Sequence, residues 1–209
     1  MVRALRAVWH LCALAGIVAI VTAVWFAAQG ISARAAPSAV EVSVARAARR
    51  FAIPASDRSR RPPLPVTSET IRAGLVHWAD HCATCHANDG GGDTSIGGAL
   101  YPRAPDMRLA ATQDLTDGEL FYIIENGVKL TGMPAWGTGS PENEQDSWHL
   151  VHFIRHLPQL TDEELAEMED LNPRGPADWR ALEEERQFLT GATESPAVPH
   201  PQTHKGGHK

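Results

Sequence analysis

The stretch Cys82-Ala83-Thr84-Cys85-His86 decides the fold. Two thiols three positions apart, with a histidine directly after the second, form the pattern of covalent c-type haem attachment. On a helical turn, positions three apart lie on one face. Both sulfurs then reach one edge of a porphyrin while the His86 imidazole turns toward its iron. No metal-free use of the pentapeptide explains the histidine as well. A thioredoxin-like dithiol is the other use of two cysteines at this spacing, but it needs a βαβ setting, and the surrounding sequence is poor in strand signals.

Working outward toward the amino terminus, Ile71, Leu75, Trp78 and Cys82 recur at spacings of four, three and four. That periodicity predicts a helix starting near Ser68 whose apolar stripe also carries the first cysteine and Gly74. After His86, the run Ala87-Asn88-Asp89-Gly90-Gly91-Gly92-Asp93 suits tight turns. It is not a phosphate loop, since no Gly-Lys-Ser/Thr follows. Thr116-Asp117-Gly118-Glu119 reads as a capping box, opening a helix with Leu120, Phe121, Ile123 and Ile124 that stops near Asn126-Gly127. Ser140-Pro141-Glu142 opens the next helix. Leu150, Phe153, Ile154 and Leu157 fall on one side of it, with His149, His152 and His156 on the other, read as a solvated histidine stripe. Thr161-Asp162-Glu163-Glu164 is a second capping box, and a last helix is expected from Pro176 to Leu189.

Together with the segment Thr131-Gly132-Met133-Pro134-Ala135-Trp136, the pentapeptide makes residues 67–160 resemble class I cytochrome c. The resemblance implies an all-α haem domain with one covalent haem c on Cys82 and Cys85. It also implies axial ligation of the iron by His86 and Met133, which follows His86 by 47 positions. Met107 is a rival sulfur but lacks the Gly-Met-Pro setting. In the family a proline carbonyl on the proximal side accepts the bond from the ligand imidazole; either Pro102 or Pro105 fills that place. Trp136 either lies by the haem edge or fills core. Gly74 and Trp78 look like the pair that packs against the carboxyl-terminal helix. Ala87 departs from the family, which usually has glycine there. Iron held on both sides raises the potential and leaves no position for substrate, so the resemblance points to electron transfer rather than catalysis.

Charge is unevenly spread. Residues 1–66 carry nine arginines against Glu41 and Asp57, net +7, whereas residues 67–209 carry ten basic and twenty-three acidic side chains, net -13. An acidic folded part excludes nucleic acid as a partner and suits basic patches on redox proteins. From Leu11 to Ala28 the chain has nothing more polar than Thr22. This reads as a retained transmembrane anchor; a cleaved signal peptide with a site at Ala33-Arg34-Ala35 is the competing account. Arg34, Arg46, Arg49 and Arg50 follow the run, against Arg3 and Arg6 before it, which by charge alone would place the carboxyl side in the cytoplasm. Haem attachment, carried over from the family, places it instead on the periplasmic side of a bacterial inner membrane. Cys12, inside the apolar run, is a small hydrophobe or, less in keeping with its position, a lipoprotein cysteine.

The expected organisation is an anchor (1–31), a Pro/Arg-rich linker (32–66), the haem domain (67–160), a helical extension (161–191) and a flexible tail (192–209). In the tail His200, His204 and His208 recur every four residues, giving either a loose metal site or a solvated, pH-sensitive segment. The function expected is that of a membrane-tethered monohaem carrier passing single electrons between respiratory complexes or a dehydrogenase. The alternatives are a fixed electron-entry subunit of a larger oxidoreductase and a gas or redox sensor in which Met133 leaves the iron.

Overall fold

The computed structural model describes residues 2–28 and 32–190; the His200, His204 and His208 expectation lies outside them. There is no strand among the described residues, in keeping with the all-α class. The helices are α1 (Val2–Ala28), α2 (Ala39–Ala52), α3 (Ala55–Arg58), α4 (Ser68–His77), α5 (Ala83–His86), α6 (Ala110–Gln113), α7 (Asp117–Asn126), α8 (Pro141–His156), α9 (Asp162–Leu171) and α10 (Pro176–Thr190). The chain divides into two units, Met1–Leu171 and Asn172–Lys209.

In α1 the stretch Val8–Trp25 is apolar, 18 residues long and wholly unburied. That length suffices to cross a bilayer core. The remainder of the first unit is built on the crossing of α4 over α8, its most extensive helix contact. Gly74 permits that crossing: a Cβ there would sit 2.2 Å from the His149 carbonyl oxygen and 2.7 Å from the Phe153 Cβ. Around the crossing, Leu75, Trp78, Phe153 and Leu157 are almost fully buried, with Leu120, Phe121 and Trp148 beside them. Each such large side chain contributes about 1.5–3 kcal/mol by leaving water.

The helix starts follow the capping chemistry. Thr116 accepts from the Glu119 amide at 3.1 Å while Glu119 accepts from the Thr116 amide at 2.8 Å, and Thr161 with Glu164 repeats the arrangement at 3.2 and 2.9 Å. Ser140 caps α8 through the Asn143 amide. At Gly127, φ is +65°, and the turn leaves no room for a Cβ against Met133 and Pro134.

Three features depart from the sequence reading. The stripe of Ile71, Leu75, Trp78 and Cys82 does not run along one regular helix, because Trp78–Cys82 is a π-helical turn between α4 and α5. The extra residue per turn rotates the second half of the stripe and so re-aims the cysteines.

The histidine stripe of α8 is covered rather than solvated. His152 is 5% exposed and donates from Nε2 to the Leu64 carbonyl at 3.2 Å; His156 pairs with Glu164 at 2.8 Å. Segment 60–65 and α9 supply this cover, which a helical wheel of α8 alone does not reveal.

Finally, the Pro/Arg-rich linker, residues 32–66, is partly folded. α2 and α3 lie within them, Ile53 is 3% exposed, the Thr116 hydroxyl donates to the Arg58 carbonyl, and the Arg60 guanidinium lies 4.1 Å from the Phe121 ring centre while pairing with Glu144.

α9 also belongs to the first unit, contributing the fully buried Met168 to its core. In the second unit, α10 is opened by Asp178, which accepts from the Gly175 amide at 2.7 Å.

Candidate functional site

The pentapeptide occupies the end of the π-helical turn and the whole of α5. Cys82 and Cys85 are partly buried and form no disulfide. Burial, and secondarily the neighbouring Cys85, push the Cys82 thiol up to about 12, so it stays protonated at neutral pH. His86 closes α5. Burial lowers the pKa of its imidazole, partly offset by the Pro105 carbonyl, so the neutral ring is favoured. Its Nδ1 is buried and makes no formed hydrogen bond. Trp78 braces the ring from one side, with centroids 5.6 Å apart, and is itself fixed by its indole N–H donating to the Ala87 carbonyl at 3.0 Å.

Ala87 ends α5 with φ 62° and ψ 162°. That region is essentially reserved for glycine, which gives the departure at this position a physical meaning: the backbone keeps the glycine conformation although the residue is alanine.

The segment after the turn wraps back onto the motif. Thr94 Oγ1 donates to the Thr84 carbonyl at 2.9 Å and accepts from the Gly97 amide at 2.8 Å. Gly97 lies so close that a Cβ would be 2.0 Å from the Cys85 carbonyl oxygen. The Gly97 carbonyl in turn accepts from the Ala104 amide at 3.0 Å, which carries the chain to Pro105 beside His86. Sequence reasoning passed over Gly97 and Thr94; the Gly97-Gly98 pair was the available signal of close backbone approach. Of the two prolines singled out, Pro105 is the one acting on His86. Pro102 is exposed.

Met133 stands on a loop pinned to the end of α7. The Val128 amide donates to the Met133 carbonyl at 3.1 Å, and the Trp136 and Gly137 amides donate to the Ile124 and Glu125 carbonyls at 3.0 Å each. The Met133 amide donates to Thr131 Oγ1 at 3.1 Å. Two contacts tie this loop to the pentapeptide region. A Cβ on Gly132 would meet the Leu100 side chain at 2.5 Å, and Leu100 follows the short 3-10 turn at Gly97–Ala99. The Trp136 ring meets His81 edge-on at 5.4 Å, next to Cys82. Trp136 also packs against the core. Met107, the rival sulfur, packs against the core too, with its amide donating to the Gly90 carbonyl at 2.8 Å.

Residues 69–154 match the family described as cytochrome C oxidase, cbb3-type, subunit III. Among curated proteins, none matches the chain. The matched stretch runs from α4 into α8 and holds both the pentapeptide and the Met133 loop. Its donor set suits a covalently held porphyrin: two thiols outside any disulfide for its edge, and a neutral imidazole with a buried, unpaired Nδ1 and the Pro105 carbonyl nearby. With the proton on Nδ1, the Nε2 lone pair is left for a metal.

Proposed function

We propose that the chain is a membrane-tethered carrier whose c-type cytochrome domain transfers electrons through one haem c, with Cys82 and Cys85 in thioether linkage and His86 and Met133 as the axial ligands. The observation that carries the assignment is the His86 imidazole, kept neutral by burial with an orphaned Nδ1 beside the Pro105 carbonyl. The bound haem would supply a one-electron couple, its potential raised by a thioether ligand.

The protein's part is positional. Trp78 and Pro105 hold the imidazole, the Gly97 approach presses the loop onto the Cys85 backbone, and the Thr131 and Gly127 turns present the Met133 side chain from a braced loop. Trp136 belongs to the haem surroundings. The functional body extends beyond 67–160, taking in segment 53–65 and α9. α1 is its membrane span, with the haem domain on the periplasmic side of a bacterial inner membrane. Its net negative surface favours partners with basic docking patches, drawn from respiratory complexes or a dehydrogenase.

A second reading, a fixed electron-entry subunit of a larger oxidoreductase, is favoured by one observation: the matched family is described as an oxidase subunit. Purification from membranes in mild detergent separates the two, since a subunit leaves with stoichiometric partners and a carrier leaves alone.

The ligand assignment is tested in the isolated holoprotein. Haem retained through denaturation marks the thioethers. Met133→Ala is expected to abolish the far-red sulfur-to-iron absorption band and to open the ferrous protein to carbon monoxide, while Met107→Ala leaves both unchanged. A band that survives Met133→Ala, or a mature chain with free thiols and no tetrapyrrole, overturns the assignment.

A further inference from the structure

α2 presents an apolar face that the rest of the protein leaves bare. Val40, Val44, Ala47, Ala48 and Phe51 recur at helical spacing along one side, and Val40, Val44 and Phe51 are 71%, 63% and 92% exposed. No residue of α2 is fully buried. The opposite side of the same helix is the one that meets the body. Glu41 accepts from the Tyr101 hydroxyl at 3.0 Å, Val42 is half-buried, and Arg49 turns inward to within electrostatic reach of the buried Glu119. Ile53, just past the helix, is buried. α2 is thus fastened to the haem-bearing body by one face and bare on the other.

Two observations say what covers the bare face. The first is position along the chain: α2 begins 11 residues after α1 ends. At about 3.3–3.6 Å per residue, this keeps its start within roughly 40 Å of the end of the span. The second is charge. Arg50 is exposed on the flank of the apolar stripe, Arg46 is exposed further round the helix beside Val42, and Arg34 precedes the helix, whereas the region beyond residue 66 is strongly acidic. An apolar stripe edged with arginine is the composition of a helix lying in a lipid interface, with its apolar side chains about 5–10 Å into the headgroup boundary and its cations on anionic headgroups. It also resolves the excess of arginine after the span, which runs against the positive-inside tendency: these charges serve an interfacial helix.

We propose that α2 is an interfacial helix seated on the anionic lipid surface next to α1, so that the haem-bearing body is held against the membrane in one orientation instead of swinging on a leash. This rests on that part of the proposed function which makes α1 a membrane span.

The test uses the full-length ferrous holoprotein in nanodiscs of phosphatidylcholine containing phosphatidylglycerol. Nitroxide labels are placed singly at Val44→Cys, Phe51→Cys and Arg46→Cys in a Cys12→Ser background, with a label on the native Cys12 reporting on α1. At Val44 and Phe51 the ratio of oxygen to nickel-chelate collisions is expected to rise several-fold over that at Arg46. High salt and pure phosphatidylcholine should shrink the difference. Val44 and Phe51 labels as accessible to the nickel chelate as the Arg46 label, with Cys12 shielded, overturn this inference alone. A water-accessible Cys12 overturns the anchor as well. Shielding at Val44 and Phe51 accompanied by spin–spin broadening assigns the face to a second copy of the chain, and shielding that appears only with a co-purifying protein assigns it to that partner; both overturn the lipid reading.

Discussion

Replacing Ala87 with glycine should make the protein more stable, the reverse of what alanine-to-glycine usually does. In the structure this residue has φ 62° and ψ 162°, a conformation whose cost for a residue with a Cβ is about 1–3 kcal/mol. Glycine removes that strain. Against it stands the added freedom of the unfolded chain, about 0.4–1 kcal/mol. The local hydrogen bonds are backbone ones and survive the change: the Ala87 amide to the Ala83 carbonyl at 2.8 Å, and the Ala87 carbonyl accepting from Trp78. The balance favours the variant by about 1 kcal/mol, which for a folded body of this size raises Tm by about 4 °C. The assay is thermal unfolding of the holoprotein followed at the Soret band and by far-ultraviolet circular dichroism, with the visible spectrum recorded as a check that the iron ligands are unchanged. A Tm that falls or stays level in Ala87→Gly would refute the reasoning, because it would mean that the position after His86 holds no stored strain.

Two further outcomes follow from particular contacts. Gly74→Ala places a Cβ 2.2 Å from the His149 carbonyl, where carbon and oxygen ordinarily stay about 3.3 Å apart. α4 and α8 must therefore separate by about 1 Å, and a loss of about 3 kcal/mol is expected in urea unfolding. Gly98→Ala, which meets nothing within 4 Å, should change nothing. The Glu164 carboxyl sits below its ordinary value of 4.5 because bonds from the Thr161 backbone and from His156 outweigh the opposing effect of burial, the largest single influence. A depressed carboxylate stabilises the fold above its unfolded pKa and ceases to as pH falls through the folded one. Urea midpoints measured downward from pH 6 should therefore drop more steeply below pH 4.5 in the wild type than in Glu164→Gln; parallel curves would dismiss the pair as a source of acid sensitivity.

Local chemistry explains why so much was legible along the chain. Cys82, Cys85 and His86 stand out by type and spacing, because the covalent attachment and ligation proposed for them would need those atoms within one turn. Capping by Thr116, Ser140 and Thr161 depends on the next three residues only, and Leu150, Phe153, Ile154 and Leu157 share a face by helical period alone. These features are set within a few residues of chain, so the sequence by itself determined an all-α haem-binding domain behind an apolar helix. What only the tertiary structure decided involves neighbours distant in sequence. The cover over His152 comes from Leu64, 88 positions away. The nearness of the Pro105 carbonyl to His86 depends on how the chain returns after Gly97. The π-helical turn at Trp78–Cys82 carries no pattern of its own, and the two opposed faces of α2 exist only because Tyr101 and the buried Glu119 lie on one side of it. A wheel or a motif records which residues share a face; it holds no information on what the folded chain brings up against that face, and burial, strain and orphaned donors arise only there.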